Sequence, residues 1–130
     1  MKGIVAVNNL GYIGLNNKLL WRSPDDLKHF VELTKNSKLV VGYNTFNELP
    51  TLKNRTVIVD DREKYILDVD WCIGGKKTYE KYCPFFDELH ISHINNNDIG
   101  DIMFPDLRKL KSDCKIFNYY FDSYFENNNL

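Results

Sequence analysis

The sequence predicts an α/β fold. Three observations point to it: apolar runs of strand length alternate with helix-like or polar segments, two of those runs end on glycine and pass straight into a helix-like stretch, and the composition suits one core. Of the 130 residues, 43% are hydrophobic and 14% aromatic, enough apolar material for a single core and no room for a second. One domain spanning 1–130 is expected.

The strand-length runs are Gly3 to Val7, Leu39 to Val41, Thr56 to Val59, Trp71 to Ile73 and Leu89 to Ile94. Between the first two, Ser23 to Thr34 reads as a helix. Ser23 is an N-cap, Pro24 takes the first helical position, where its missing N–H costs nothing, and Leu27, Phe30, Val31 and Thr34 recur on one face. Two junctions then repeat one design of strand, glycine and short helix: Leu39-Val40-Val41-Gly42-Tyr43-Asn44-Thr45 and Trp71-Cys72-Ile73-Gly74-Gly75-Lys76-Lys77-Thr78-Tyr79. Such turns are where phosphates bind. The tail from Cys114 to Phe125 is dense in Tyr and Phe and reads as one or two closing strands, with 127–130 frayed.

Seventeen Lys plus Arg against eighteen Asp plus Glu leave a formal charge of -1, which gives no basic field for nucleic acid or an anionic membrane. The apolar run after Met1 is cut short by Asn8-Asn9, too soon for a signal-peptide core or a membrane span, so the mature chain is expected to be the whole chain and cytoplasmic. Cys72, Cys83 and Cys114 are odd in number, far apart and without metal-ligand spacing; they read as reduced, semi-buried thiols, and no metal is expected. Fifteen Asn residues, including runs at 95–97 and 127–129, read as coding bias with little bearing on function.

Asp25 and Asp26 sit in the first turn of the Ser23 helix, where acids by default complement the helix dipole. Asp26, however, is followed by Leu27 and Phe30 on the apolar face and preceded by Trp21, so its carboxyl is expected in an apolar cleft, with a raised pKa and one proton to manage. Gly74-Gly75 alone would mark only a tight turn. Placed between an apolar strand and Lys76, Lys77 and Thr78, the pair suits close backbone approach to a pyrophosphate, although the GxGxxG pattern of a Rossmann site is missing. Arg55 is either a solvated strand-end charge or a bidentate grip on a ligand carboxylate. His29, His90 and His93 read as surface or strand histidines, and no Ser or Cys nucleophile stands beside them in a recognisable motif.

Taken in order, these pieces resemble dihydrofolate reductase along nearly the whole chain. Ile4-Val5-Ala6-Val7 resembles the family's first strand, Ile13-Gly14 with Leu19-Leu20-Trp21 its active-site loop, and Ser23 to Phe30 the helix bearing its catalytic acid, which falls on Asp26. Val41-Gly42-Tyr43-Asn44-Thr45-Phe46 resembles the first phosphate-binding turn, Arg55 the arginine that grips the glutamate carboxylate, Ile73-Gly74-Gly75 with Tyr79 the cofactor turn, and Gly100-Asp101 followed by Phe104-Pro105 a late motif. Ser92 falls where the family usually has a threonine bonded to the acid.

The resemblance implies a mixed, mostly parallel central sheet flanked by helices, and reduction of 7,8-dihydrofolate to tetrahydrofolate in one-carbon metabolism. Hydride passes to the pterin C6 while N5 gains a proton made available through Asp26. Trp21 would help order water, and Ile4, Val5, Leu27, Phe30, Leu49, Arg55, Ile73 and Tyr79 would hold the folate. Ala6, Ile13, Gly14, Leu19, Gly42, Tyr43, Asn44, Thr45, Arg62, Ile73, Gly74, Gly75, Lys76, Lys77, Thr78 and Tyr79 would hold the cofactor. The Gly74-Gly75 peptide is expected to be cis, and the protein a monomer whose partners are dihydrofolate and a nicotinamide.

Some positions depart from the family's pattern. Leu20 replaces the usual proline before the tryptophan, and Tyr43 replaces a basic residue near the cofactor's 2′-phosphate. Asp60 and Asp61 follow the strand where that phosphate would lie, with Arg62 and Lys77 as compensating charges, so NADPH is expected with NADH left open. Only eleven residues separate Val59 from Trp71, so one strand-helix unit and part of the adenine-side wall are expected to be missing, along with part of the closing strand pair. Two alternatives stay open: a module of this fold kept for binding or assembly, and a reductase of another heterocycle.

Overall fold

The computed structural model describes residues 1–14, 21–49 and 52–123. Its centre is a six-stranded sheet in the order β4-β3-β5-β1-β6-β8, formed by β1 (Lys2–Asn8), β3 (Lys38–Val41), β4 (Thr56–Val59), β5 (Trp71–Cys72), β6 (Glu88–Asn95) and β8 (Lys115–Asp122). Every pairing within it is parallel. Antiparallel pairing is confined to a separate ribbon of β2 (Tyr12–Gly14) and β7 (Ile102–Met103). Among the described residues, three α-helices connect the strands: α1 (Pro24–Leu33), α2 (Tyr43–Glu48) and α3 (Lys76–Tyr82).

Strand alternation divides the core between the two faces of the sheet. One face carries Val5, Val40, Cys72, Leu89 and Ile91 against Tyr79, Tyr82 and Cys83 of the α3 region and against Phe86. The other carries Ile4, Leu39, Val41, Trp71 and Ile73 against Phe30 and Leu33 of α1 and against Leu49 and Leu52. Gly3 lets Phe86 lie directly on β1, since a Cβ there would sit 2.2 Å from the Phe86 ring.

The closing segment forms a single strand among the described residues. β8 pairs with β6 through eight residue pairs, from Glu88↔Lys115 to Asn95↔Asp122. The segment 60–70 holds no helix or strand, in line with the missing unit. Its place is fixed by α3: Lys81 Nζ lies 3.0 and 3.3 Å from the two Asp60 carboxylate oxygens and also donates to the carbonyls of Asp61 and Lys64. Tyr82 Oη donates to Asp60 at 2.6 Å and accepts from Ile66 N at 2.9 Å.

Two expectations need correction, the burial of the cysteines and the apolar face of α1. Cys72 and Cys83 are wholly buried rather than semi-buried, and burial first of all pushes the Cys72 thiol up to about 12. His90 is a strand histidine of β6: it is 7% exposed, stacked on Phe117, and bonded through Nδ1 to Tyr119 Oη (2.9 Å) and through Nε2 to Glu88 (2.8 Å). The predicted apolar face of α1 is only partly covered: Phe30 packs on the sheet and Thr34 is buried, but Leu27 is 54% and Val31 37% exposed, with nothing among the described residues burying them.

Candidate active site

The site is built around α1. Ser23 Oγ accepts from Asp26 N at 3.4 Å and donates to the Asp122 carbonyl at 2.8 Å, so one side chain caps the helix and ties its start to β8. This seats Asp26 over β6, where the buried Ser92 hydroxyl donates to its carboxylate. Burial holds the Asp26 carboxyl above the usual carboxylate range, while the Ser92 hydrogen bond and the charge of His29 pull the other way. Trp21 is buried just before the helix. On the same helix Leu27 and Val31 are exposed, while Phe30, and Leu49 after α2, are half-buried against the sheet. A concavity of about 440 Å³ elsewhere, at the carboxyl ends of β1, β6 and β8, is lined by Asn8, Asn95 and Tyr120 and does not include Asp26.

Arg55 lies at the far end of α1. Its Nε donates to Thr34 Oγ1 at 3.0 Å, one terminal nitrogen donates to the Lys53 carbonyl at 2.5 Å, and the other donates to the Val31 carbonyl. Three of five N–H groups thus orient the guanidinium, and two remain for a carboxylate.

The two glycine turns lie side by side because β3 and β5 are neighbours, and Gly42 N donates to the Gly74 carbonyl at 2.6 Å. They interlock. A Cβ on Gly42 would lie 2.6 Å from Thr78 Oγ1, and one on Gly75 would lie 2.8 Å from Thr45 Oγ1. Gly74 has φ +106°, a left-handed conformation suited to glycine, and its Cβ would meet the Tyr79 ring at 2.9 Å. The Gly74-Gly75 peptide is cis, as the resemblance implies. Neither α2 nor α3 has a side-chain cap at its N-terminus, so both present backbone N–H groups, and Lys76 and Lys77 are exposed beside them. That donor set fits a pyrophosphate.

Thr78 and Tyr79 are buried beneath the second turn. Tyr79 Oη donates to the Ile4 carbonyl at 2.7 Å, and the ring packs on Phe104 with centroids 5.0 Å apart. Ile4, Val5 and Ile73 are buried and Ala6 half-buried, which brings β1 and the end of β5 to the foot of the cleft. Tyr43 is 65% exposed at the start of α2, and Asn44 and Thr45 follow it in the same turn. Arg62 is exposed, whereas Asp60 is turned inward onto Lys81. Leu19 and Leu20 lie outside the described residues.

Sequence reasoning missed the asparagines. Asn8, 3% exposed, donates to Asn96 Oδ1 and the Asp98 carbonyl and accepts from the backbone N–H of Leu10 and Tyr12. Asn9 bridges to Asn95 and Asn97. These bonds fix the turn that leads into Ile13 and Gly14, whose carbonyl accepts from Asp101 N at 3.0 Å. A buried Asn at the end of an apolar strand was the available signal.

A family profile for dihydrofolate reductase matches residues 1–72. The chain belongs to the dihydrofolate reductase family. Among curated relatives, dihydrofolate reductase type 9 of Escherichia coli is 34% identical over 127 residues, covering 75% of this chain and 72% of the relative. The dihydrofolate reductase of Buchnera aphidicola subsp. Schizaphis graminum is 28% identical over 129 residues, covering 83% and 80%. A solved structure of dihydrofolate reductase from Enterococcus faecalis, complexed with NADP(H) and RAB-propyl, superimposes with a TM-score of 0.68 at 29% identity, covering 82% of this chain and 77% of that one. Membership of this family accounts for the mostly parallel central sheet with flanking helices.

Proposed function

We infer that this single-domain chain is an NADPH-dependent dihydrofolate reductase that converts 7,8-dihydrofolate to tetrahydrofolate. The observation that carries the reading is Asp26: a half-buried carboxyl with a raised pKa, bonded to Ser92, on the helix that also carries Leu27 and Phe30. When bound, the reduced nicotinamide supplies a hydride to the pterin C6. The residues of the chain do the rest. The backbone at Gly42, Gly74 and Gly75, with Lys76 and Lys77, holds the pyrophosphate; Ala6, Ile13, Gly14 and Ile73 border the nicotinamide. Tyr43, Asn44, Thr45 and Arg62 face the adenosine end, where NADH remains an alternative donor to test. Leu27, Phe30 and Leu49 exclude water from the pterin, Arg55 grips the folate carboxylate, and Asp26, with Trp21 ordering a water, makes the proton available to N5.

A cytoplasmic location suits the three free thiols, and no helix among the described residues is long and apolar enough to cross a membrane. The test is loss of cofactor absorbance when purified protein meets dihydrofolate and NADPH. Asp26→Asn keeps size and hydrogen bonding but removes the titratable proton. Its turnover at neutral pH should fall by about 10² to 10⁴, with residual activity rising at low pH, where solvent acid protonates the pterin. Full activity of this variant at neutral pH would refute the assignment.

A further inference from the structure

His29 stands three residues after Asp26 on α1, a spacing that puts both side chains on one side of the helix. The helix does not leave the imidazole in solvent. Its ring lies against Tyr119, with centroids 4.1 Å apart, and against Phe121 at 5.4 Å. Nε2 is buried and has no hydrogen-bond partner among the described residues. An ionisable ring is therefore fixed beside the acid with one nitrogen buried and without an acceptor among the described residues, an arrangement that apolar packing alone does not need.

We propose that His29 is a positioning residue for the proton transfer, the ionisable partner of Asp26, so that proton supply to the pterin follows a coupled Asp26–His29 pair rather than a lone carboxyl. This rests on the dihydrofolate reductase reading for its effect on rate, but the coupling itself is a property of the free protein.

The groups facing His29 can be named element by element. On α1 they are Asp26, with Asp25, Lys28 and Glu32 on the exposed side. From β6 come Ser92 and His90, the latter held by Glu88; from β8 comes Tyr119, whose phenol burial pushes further up and so keeps neutral. Burial holds the His29 imidazole below its ordinary range, the Asp26 carboxylate opposes that, and His90 adds to it. The Asp26 carboxyl is moved upward while His29 draws it back. Each group thus moves toward the other's titration range.

Two measurements test the pair. In the first, the His29 ring is titrated by nitrogen-detected NMR in the wild type and in Asp26→Asn. Loss of the carboxylate should lower the pH at which His29 titrates. In the second, single-turnover hydride transfer is followed against pH. Because the protonated acid is the active form, removing the neighbouring cation should move the midpoint of the rate to higher pH in His29→Gln. His29→Phe, which keeps ring packing on Tyr119 and Phe121, should move it the same way and serves if the Gln variant folds poorly. An unmoved His29 titration in Asp26→Asn, or an unmoved midpoint in both His29 variants, overturns the proposal while leaving the reductase assignment intact. Undiminished turnover of Asp26→Asn overturns the assignment instead, and the NMR titration still reports the coupling.

Discussion

Lys81→Met removes the post that holds the segment 60–70 in place. Methionine keeps most of the apolar stem but carries no charge and no N–H. The Lys81 and Asp60 side chains are 13% and 9% exposed, so the substitution leaves a buried carboxylate held by the Tyr82 hydroxyl at 2.6 Å. Stranding one member of a buried pair costs about 3–5 kcal/mol. The carbonyls of Asp61 and Lys64 also lose a donor, but water reaches them and they add little. With an unfolding entropy near ~2.1 cal/mol/K per residue, a chain of 130 residues should lose roughly 10–20 °C in Tm. The assay is thermal denaturation by circular dichroism, with hydrogen exchange to locate the loosened segment at 60–70. Lys81→Met combined with Asp60→Asn removes the stranded charge and should recover most of the loss. A single variant melting within about 2 °C of wild type, or a double variant no better than the single, would refute the reasoning.

Gly42→Ala meets no backbone strain at φ -72°, but its Cβ would lie 2.6 Å from Thr78 Oγ1 and force the two turns apart. The KM for NADPH should rise at least about tenfold, roughly 1.4 kcal/mol, with recovery when Thr78→Ala clears the space; an unchanged KM refutes the interlock. At low pH the surface carboxyl of Asp87 matters: the Lys111 ammonium, then the Met1 amine, hold it down at about 2 against an ordinary 3.8. A depressed folded value means that the stabilisation is complete above 3.8 and is lost as pH falls toward 2, so Asp87→Asn should flatten that limb of a urea-stability profile, and a parallel profile would count against it.

Much of the site was legible because it rests on local chemistry. Ser23-Pro24 starts a helix by capping and a preset φ, which fixes Asp26 in its first turn, and glycine after an apolar run marks a turn where backbone must come close. The spacing from Val59 to Trp71 likewise showed that no strand-helix unit fits there, since eleven residues are too few.

Other features arise only when distant segments meet. The sequence holds no sign that Asp60 serves Lys81 rather than the cofactor, because the two are 21 positions apart and meet only when α3 docks beside β4. The asparagines looked like bias in composition until β1 and β6 paired in parallel and brought Asn8 and Asn96 within 3.2 Å. His29 read as a surface or strand histidine, and its ring is half-buried only because β8 brings Tyr119 and Phe121 against it. By itself the sequence determined the strands of the central sheet, the helix that carries Asp26 and the two glycine turns, which depend on neighbours a few residues away, but not the β2–β7 ribbon. Which charges are neutralised, which amides are satisfied and which imidazole senses the acid were decided by tertiary structure, because burial and pairing across the sheet are not properties of any local stretch.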